Sequence, residues 1–452
     1  MTAFWCERAW LPDGVQDRVR VSAERELVTA VEAGEDAHPD DERLHGIVLP
    51  GFANAHSHAF HRALRGRTHG DGGTFWTWRE RMYEVAARLD PDSYRRLATA
   101  VYAEMALAGV TCVGEFHYLH HAPGGSAYAD PNAMGEALRL AARAAGIRLT
   151  LLDTCYLAGG IGTPLTDSQL RFGDGDAARW AERVAALKPD ANTRIGAAIH
   201  SVRAVPADQI PTVVSAAARR PLHVHLSEQS AENEQCLDAY GVTPTELLDR
   251  QAALGPRTTA VHATHLTRHD AALLGQSTSS VCFCPTTERD LADGIGPARA
   301  LRDAGSPLVL GSDQHAVIDL LEEARALEMH ERLTSHERGR FAPYELIAAL
   351  TTAGHASLGW PEAGRLAVGS PCDLVAITLD TPRTAGIDPE QVLYAATSAD
   401  IHAVIVNGRS VVKEGSHLLG DVGVLLRRAI AALDAKENGA PGDKPRWIGT
   451  SS

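Results

Sequence analysis

Two histidines separated by one residue are the first candidates for chemistry in this chain. His56 and His58 lie near the end of the stretch from Leu49 to His61, which begins as an apolar run. Because successive side chains of a strand alternate between faces, the two imidazoles point the same way and could hold one metal ion. Single histidines in apolar surroundings are often hydrogen-bonded core residues, so the pair alone leaves both interpretations open.

Further polar residues complete a set that suits metal-dependent hydrolysis. His225 would supply a third nitrogen ligand and Asp313 an oxygen ligand, which leaves one coordination position for water. Mixed imidazole and carboxylate ligation favours zinc or Fe(II) over magnesium or calcium. We therefore expect one divalent metal, zinc with Fe(II) as the alternative, held by His56, His58, His225 and Asp313.

Proton transfer would require acid and base groups beside this metal. Glu228 follows His225 by three residues, and could accept a proton from the attacking water and return it to the leaving nitrogen. Asp313 could hydrogen-bond the water, and His262 could polarise the electrophile or orient the nucleophile. We therefore predict Glu228, His262 and Asp313 as the catalytic residues.

These assignments have structural alternatives. Glu228 could be an ordinary carboxylate in the first turn of a helix, where the helix dipole favours negative charge. His265 could replace His262, since both cannot occupy the same strand end. His223 would lie one layer deeper than the ligand histidine of the same strand, and we interpret it as a core or supporting residue.

Other histidines and the cysteines are assigned no role. His117, His120 and His121 lie on a polar segment and are expected to be exposed. The seven cysteines are scattered along the chain, and their odd number and spacing give no reason to predict disulfides or a thiolate metal site.

The candidate residues lie at the ends of recurring β-like runs. Most runs precede an Ala- and Leu-rich helical stretch, such as 133–145, and this alternation is typical of parallel βαβ units. Eight units predict a (β/α)8 TIM-type barrel, in which catalytic groups collect at the C-terminal ends of the strands. A doubly wound sheet is the alternative, but no Gly-rich dinucleotide fingerprint follows the first run. The eight runs are 47–54, 110–117, 147–156, 193–201, 222–226, 259–264, 280–285 and 307–312.

Both ends of the chain contain short alternating segments that predict β-strands, at 18–21 and 26–31 and again at 372–379, 403–407 and 410–413. We therefore expect an α/β protein whose barrel is accompanied by a smaller composite β-sandwich domain built from both termini. Residues 70–89 lengthen the first βα connection and could form a lid. The predicted division is 1–48 and 365–420 for the two parts of the β domain, 49–364 for the barrel, and 421–452 for a C-terminal helix and loosely ordered tail.

Composition excludes some function classes. A barrel takes about 250 residues, so a chain of 452 has room for the companion domain. The net charge of −14 argues against a nucleic-acid or anionic-membrane surface. No basic segment followed by an apolar one begins the chain, and no apolar run is long enough to span a bilayer. We expect a cytoplasmic protein without nucleic-acid or membrane partners. The sequence leaves open whether the protein forms a homodimer.

Several motifs resemble those of the amidohydrolase superfamily, in its mononuclear aminohydrolase branch. Binuclear members carry a carboxylated lysine at the end of the fourth strand, where this chain has His200, so the resemblance implies one metal. The terminal segments GSPCDLV at 369–375 and VNG at 406–408 resemble the superfamily's composite β domain. The barrel motifs are PGFANAHSH at 50–58, HLSE at 225–228, the strand of His262, PTTE at 285–288 and GSD at 311–313.

Within that branch, four segments resemble the formimidoylglutamate deiminase family of histidine degradation: HSHAFHRAL at 56–64, FWTWRERMY at 75–83, EFHYLHH at 115–121 and HSVRAV at 200–205. The resemblance implies hydrolysis of a small anionic substrate, N-formimino-L-glutamate, to N-formyl-L-glutamate and ammonia. It implies that substrate is bound by His61, Arg79, Tyr118, His200 and Arg203, where His61 replaces an expected glutamine.

Three functional hypotheses follow, and the two arginines separate the first from the second. A dianionic substrate suits planar guanidinium groups, whereas an uncharged base has no use for both Arg79 and Arg203. Deamination of a heterocycle such as guanine or S-adenosylhomocysteine is therefore the alternative. A barrel that has lost catalysis is the third hypothesis, but the ligand set is complete in this sequence.

Overall fold

This computed structural model describes residues 2–70 and 75–437. The strands within these ranges form two eight-stranded sheets. The strands are β1 Thr2–Leu11, β2 Gly14–Glu24, β3 Leu27–Ala33, β4 Glu42–Pro50, β5 Phe52–Ser57, β6 Val110–His117, β7 Arg148–Cys155, β8 Thr193–Ile199, β9 Leu222–Leu226, β10 Thr258–His262, β11 Ser280–Phe283, β12 Leu308–Leu310, β13 Leu374–Ile377, β14 Ile401–Val406, β15 Arg409–Lys413 and β16 Ser416–His417.

Helices follow most of the central strands. None of those in the described ranges is both long and apolar enough to cross a bilayer. The α-helices are α1 Phe75–Ala87, α2 Pro91–Leu107, α3 Ala133–Ala145, α4 Ala177–Ala185, α5 Ile210–Ala217, α6 Ser230–Tyr240, α7 Pro244–Arg250, α8 Arg268–Gln276, α9 Pro285–Asp290, α10 Ala298–Ala304, α11 Leu320–Ser335, α12 Pro343–Leu350, α13 Thr352–Ser357 and α14 Val422–Glu437. Short 3-10 helices cover Ala59–Leu64, Leu170–Phe172, Pro389–Tyr394 and Ser398–Asp400.

The eight strands from β5 to β12 form the parallel barrel that the sequence predicts. Each strand pairs with the next in chain order, and all residues of β6, β7 and β9 are buried, as expected for strands covered on both faces. The first and eighth strands meet just beyond their ends, where Ser57 forms a parallel bridge with Asp313. The Asp313 N–H donates to the His56 carbonyl at 3.0 Å, and the His58 N–H donates to the Asp313 carbonyl at 3.1 Å.

The sequence pattern predicted the bounds of β6 and β9 more accurately than those of the first barrel strand, β5. The predicted runs 110–117 and 222–226 coincide with β6 and β9. The run 47–54 is wrong as a single strand, because the chain bends at Gly51 and divides it between β4 and β5. A Cβ atom at Gly51 would lie 2.4 Å from Thr111 Oγ1, so only glycine permits this close approach. The proposed lid at 70–89 includes residues 71–74, which lie outside the described ranges, as do 438–452 of the predicted tail.

The second sheet combines both ends of the chain, as predicted. Its strand order is β16-β15-β14-β13-β4-β1-β2-β3, and it is mixed, because β4 runs parallel to β1 and antiparallel to β13. Its inner face buries a separate apolar cluster that includes Phe4, Val21, Leu44 and Ile405. The pairing of β4 with β13 therefore joins the N-terminal and C-terminal strands into one unit.

A buried ion pair links this sheet to the barrel. Arg148 begins β7 and its guanidinium forms two hydrogen bonds with the carboxylate of Asp373, one of them 3.1 Å long. The same guanidinium donates to Asn407 Oδ1 at 2.7 Å, and Asp373 also accepts the Asn407 N–H at 2.9 Å. Arg148 and Asp373 are 1% and 2% exposed, so neither charge has access to water.

We expect Arg148→Ala to lower the free energy of unfolding by about 3 to 5 kcal/mol, because the Asp373 carboxylate would stay buried without its counter-charge. Urea denaturation measures this loss. Arg409→Ala is the matched control, since both side chains of the Arg409–Glu26 pair are exposed and the pair should contribute at most about 1 kcal/mol. Equal losses in the two variants would show that burial of the Arg148 pair is unimportant.

Candidate active site

The polar residues predicted at the strand ends line one pocket, with a cavity volume of about 50 Å³. The five residues predicted to bind substrate belong to this lining, together with Glu228, His262 and Asp313. The lining residues are His58, His61, Trp78, Arg79, Met82, Tyr118, His200, Arg203, His225, Glu228, His262, Leu291 and Asp313.

The four predicted metal ligands converge at the base of this pocket. Asp313 Oδ1 lies 3.5 Å from His56 Nε2 and 3.4 Å from His58 Nε2. His225 Nε2 lies 3.1 Å from His56 Nε2. His262 is equally close, since its Nε2 is 3.7 Å from Asp313 Oδ2. The structure thus brings together side chains from β5, β9, β10 and the residues after β12.

The orientation of the imidazoles fits a bound divalent cation. The Nδ1 atoms of His58 and His225 donate to the backbone carbonyls of Phe116 and His200, each at 2.9 Å. Such contacts fix the tautomer and leave the Nε2 lone pairs directed at the shared centre. Burial also lowers the pKa of His58 to about 3, so this ring is neutral and able to ligate. Nitrogen and carboxylate donors together suit a divalent transition metal.

Asp313 and Glu228 carry opposite perturbations, although both are buried. Burial alone would raise the pKa of Asp313, but the imidazoles of His56 and His262 hold it below its ordinary value. Burial raises the pKa of Glu228, and the nearby charges of His262 and Arg203 only partly oppose this. Two carboxyl groups with pKa values displaced in opposite directions are typical of sites that transfer protons.

His262 lies between three carboxylates. Its Nε2 is 3.7 Å from Glu228 Oε1, and its Nδ1 is 3.6 Å from Glu288 Oε1. Burial would lower the pKa of His262, but Glu228, Glu288 and Asp313 raise it well above its usual value. Its backbone has φ of +70°, which is strained for a residue other than glycine and turns the side chain at the strand end. His262 is therefore suited to donate a hydrogen bond into the pocket.

Two arginines contribute positive charge to the same pocket. Arg203 Nε donates to Glu232 Oε2 at 2.8 Å, and its Nη2 lies 3.9 Å from Glu228 Oε2. Arg79, on α1, donates to the Tyr156 hydroxyl at 3.1 Å. Both guanidinium groups are held by neighbours through one part of the fork, which limits their freedom to move.

An aromatic wall carries the other three predicted substrate residues. His61 Nε2 lies 2.9 Å from the Tyr118 hydroxyl, and the His61 ring makes edge contacts with Trp78 at a centroid distance of 5.0 Å. His200 packs against Tyr156 at 4.3 Å between ring centroids. The His61–Tyr118 contact joins the segment after β5 to the segment after β6.

One prediction about the remaining histidines is wrong. His117, His120 and His121 are buried, not exposed. The reason is that the chain supplies them with polar partners below the surface. His120 Nε2 donates to the Thr154 carbonyl at 2.8 Å, and His121 Nε2 lies 3.0 Å from Asp174 Oδ1.

His223 and His265 differ from His262 in their surroundings. His223 is fully buried, and its Nε2 lies 3.2 Å from the Ser357 carbonyl. His265 is half-buried, and its N–H donates to the Ser227 carbonyl at 3.0 Å. The structure thus directs His262 at the ligand set.

Two buried glutamates beside the site belong to motifs of the sequence but were assigned no catalytic, metal or substrate role. Glu288 follows β11 and faces His262, and Glu115 on β6 contacts the loop that carries His58. The signal that could have found them is their position, because each carboxylate lies at or just beyond the C-terminal end of a barrel strand.

All seven cysteines are free thiols and buried. One of them, Cys284, belongs with His262 and Asp313 to a group of side chains whose ligand atoms lie within 4.8 Å of one another.

Comparison with known proteins gives one consistent family. Residues 47–411 match the amidohydrolase family. The chain is 38% identical over 436 residues to the formimidoylglutamate deiminase of Pseudomonas aeruginosa, covering 92% of this chain and 96% of that one. It is 30% identical over 397 residues to the 8-oxoguanine deaminase of the same organism, covering 86% and 87%. A solved amidohydrolase from Brucella melitensis superposes with a TM-score of 0.90 at 32% identity, covering 96% of this chain and 100% of that chain. The chain therefore belongs to the amidohydrolase family and is an enzyme that hydrolyses C–N bonds.

Proposed function

We propose that this enzyme hydrolyses N-formimino-L-glutamate to N-formyl-L-glutamate and ammonia with one bound zinc ion. The relative named formimidoylglutamate deiminase supports this substrate, because its similarity extends over nearly the whole of both chains. The 8-oxoguanine deaminase relative keeps deamination of a purine as the competing function.

One observation carries the choice of substrate. Arg79 and Arg203 line the same pocket as Glu228 and Asp313, so two permanent positive charges face the reacting groups. A substrate with two carboxylates can pair with both guanidinium groups, and planar forks bind carboxylates in a defined orientation. A neutral purine has no carboxylate to offer to either guanidinium group.

The proposed metal ligands are His56, His58, His225 and Asp313. Their neutral imidazoles and single carboxylate favour zinc among the divalent metals, with Fe(II) as the alternative. A divalent cation held there would lower the pKa of a bound water toward neutrality. No thiolate is needed in this set.

The protein side chains would move the protons. Glu228 would accept a proton from the water that attacks the formimino carbon and would pass it to the imino nitrogen. The hydroxyl proton of the resulting tetrahedral adduct would then move to the same nitrogen, which leaves as ammonia. His262 would donate a hydrogen bond to the reacting centre, consistent with its raised pKa. Asp313 would orient the water. The C=N bond is thereby replaced by C=O, and the formimino group on the glutamate nitrogen becomes a formyl group.

His61, Tyr118 and His200 would complete the substrate site. The His61–Tyr118 contact leaves His61 Nδ1 buried without a hydrogen-bond partner among the described residues. A buried polar atom without a partner is costly, so a ligand that supplies one is favoured. His200 would lie beside the substrate, because it lines the same pocket. Its backbone carbonyl accepts a hydrogen bond from His225 Nδ1.

Ammonia release from N-formimino-L-glutamate tests the proposal. We expect turnover of this substrate by the zinc-loaded protein, weaker turnover of N-formimino-L-aspartate, and none of guanine. A higher kcat/KM for guanine would contradict the proposed substrate and favour the purine alternative.

Metal removal should abolish activity and lower stability together. A ligand that binds only the folded state at 100 times its dissociation constant stabilises it by about 2.7 kcal/mol. Chelator-treated protein should therefore melt at a lower temperature and recover both activity and melting temperature on addition of one equivalent of zinc. An unchanged melting temperature after complete removal of metal would contradict the proposed ligand set.

Glu228→Gln should retain metal and lose about 10²- to 10⁴-fold in kcat, because an amide cannot shuttle the proton. Steady-state kinetics and metal analysis of the same sample measure both quantities. Glu234→Gln on helix α6, where Glu234 is exposed, is the matched control and should keep wild-type kcat. Full activity in Glu228→Gln would remove this residue from the mechanism.

Arg203→Ala should lower kcat/KM for N-formimino-L-glutamate, since a substrate carboxylate would lose its charged partner. The expected loss of transition-state binding free energy is about 2 to 5 kcal/mol. The exposed Arg219 provides the control, because Arg219→Ala removes the same charge outside the pocket. Thermal unfolding of both variants accounts for the lost Arg203–Glu232 ion pair. Unchanged kcat/KM in folded Arg203→Ala would show that this guanidinium does not bind substrate.

A further inference from the structure

Glu115 is a fully buried carboxylate outside the proposed ligand set. Its Oε2 accepts a hydrogen bond from Ser57 Oγ, and its Oε1 accepts one from the Ala59 N–H, both at 2.7 Å. Ser57 and Ala59 flank His58, so this carboxylate holds the backbone on both sides of one ligand. The carbonyl of the next residue, Phe116, accepts from His58 Nδ1 at 2.9 Å. Two consecutive residues of β6 therefore fix both the backbone and the ring of His58.

The contact with Ser57 extends into a chain of hydrogen bonds with one direction. Ser57 Oγ has a single hydrogen, which Glu115 accepts, so its 3.2 Å contact with His315 Nε2 requires that His315 donate. His315 Nδ1 then accepts from Ser312 Oγ at 3.0 Å. Ser312 Oγ in turn accepts from Asn54 Nδ2 at 2.7 Å. When Glu115 is ionised, every group in the chain donates toward it, because a carboxylate only accepts.

This chain crosses the junction of the first and eighth strands. Asn54 and Ser57 belong to β5, which carries His56, whereas Ser312 and His315 lie on either side of Asp313. The Ser312 N–H also donates to Asn54 Oδ1 at 3.0 Å, so the junction is held by side chains as well as by backbone. All five residues of the chain are fully buried. Each lost hydrogen bond would therefore leave a buried polar group unsatisfied.

We propose that Glu115 is a positioning residue, which sets the direction of this hydrogen-bond chain and thereby holds the ligands of β5 and of the residues after β12 at the spacing a metal requires. The inference rests on the metal ligation proposed above and is independent of which substrate is hydrolysed. Outer residues that orient metal ligands commonly affect metal affinity by about 10- to 100-fold.

A neutral amide cannot replace the carboxylate without loss. Glutamine has one accepting oxygen and one donating NH2 group. If its oxygen faces the Ala59 N–H, its NH2 group faces Ser57, and the Ser57 hydroxyl hydrogen loses its acceptor. If it is turned over, two N–H donors face each other. In both orientations at least one buried hydrogen bond is lost and the chain no longer has a fixed direction.

Glu115→Gln tests the proposal against Glu328→Gln as a matched control. Glu328 on α11 is also fully buried and accepts the N–H groups of Gly339 at 2.9 Å and Phe341 at 2.7 Å, but it lies outside the pocket lining. Zinc dissociation constants are measured by competition with a chromophoric chelator, and the ligand geometry by the visible absorption of the cobalt-loaded proteins. Unfolding of the metal-free proteins measures stability separately.

We expect Glu115→Gln to bind zinc about 10- to 100-fold more weakly and to change the cobalt spectrum. Glu328→Gln should lose comparable stability and keep the wild-type dissociation constant and spectrum. Wild-type affinity in Glu115→Gln, or an equal loss in both variants, would overturn the inference. If Glu115→Gln does not fold, Ser57→Ala interrupts the same chain and is judged by the same two outcomes. Failure of the wild-type protein to bind stoichiometric zinc would instead overturn the proposed ligand set.

Discussion

The closure of the barrel between its first and eighth strands is the constraint on which the rest of the site depends. Backbone hydrogen bonds join His56, His58 and Asp313 directly across this junction. Three of the four proposed ligands are therefore positioned by the same bonds that complete the fold. His225 enters from the opposite side of the ring, on β9, and its tautomer is fixed by the carbonyl at the end of β8.

Burial of many charged groups in one pocket requires mutual compensation. The negative charge of Asp313 is surrounded by imidazoles, and Glu228 lies between His262 and Arg203. Arg203 is itself held by the buried Glu232. In a medium of low dielectric constant such interactions are strong, so each side chain constrains the protonation of its neighbours. The pocket thus holds its charged side chains in fixed positions and contains carboxyl groups of different acidity.

The sequence predicted the barrel well, because strands buried on both faces produce apolar runs of regular spacing, as in β6 and β9. It also predicted which polar residues meet, since the C-terminal ends of parallel strands lie on one side of the barrel. The division at Gly51 was not predictable, because an apolar run does not show which sheet receives it. The burial of His117, His120 and His121 escaped prediction for a related reason, since it depends on partners distant in sequence, such as Asp174. The roles of the site residues stay predictions.

The pairing of β4 with β13 has a consequence for synthesis on the ribosome. Strands β1 to β4 emerge first and β4 can pair with β1, yet its second partner, β13, is made only after the entire barrel. Until then the edge of β4 presents unpaired backbone groups, which are prone to associate with other chains. The barrel begins directly after β4 and can form meanwhile. The terminal sheet can therefore be completed only once the C-terminal strands have been synthesised.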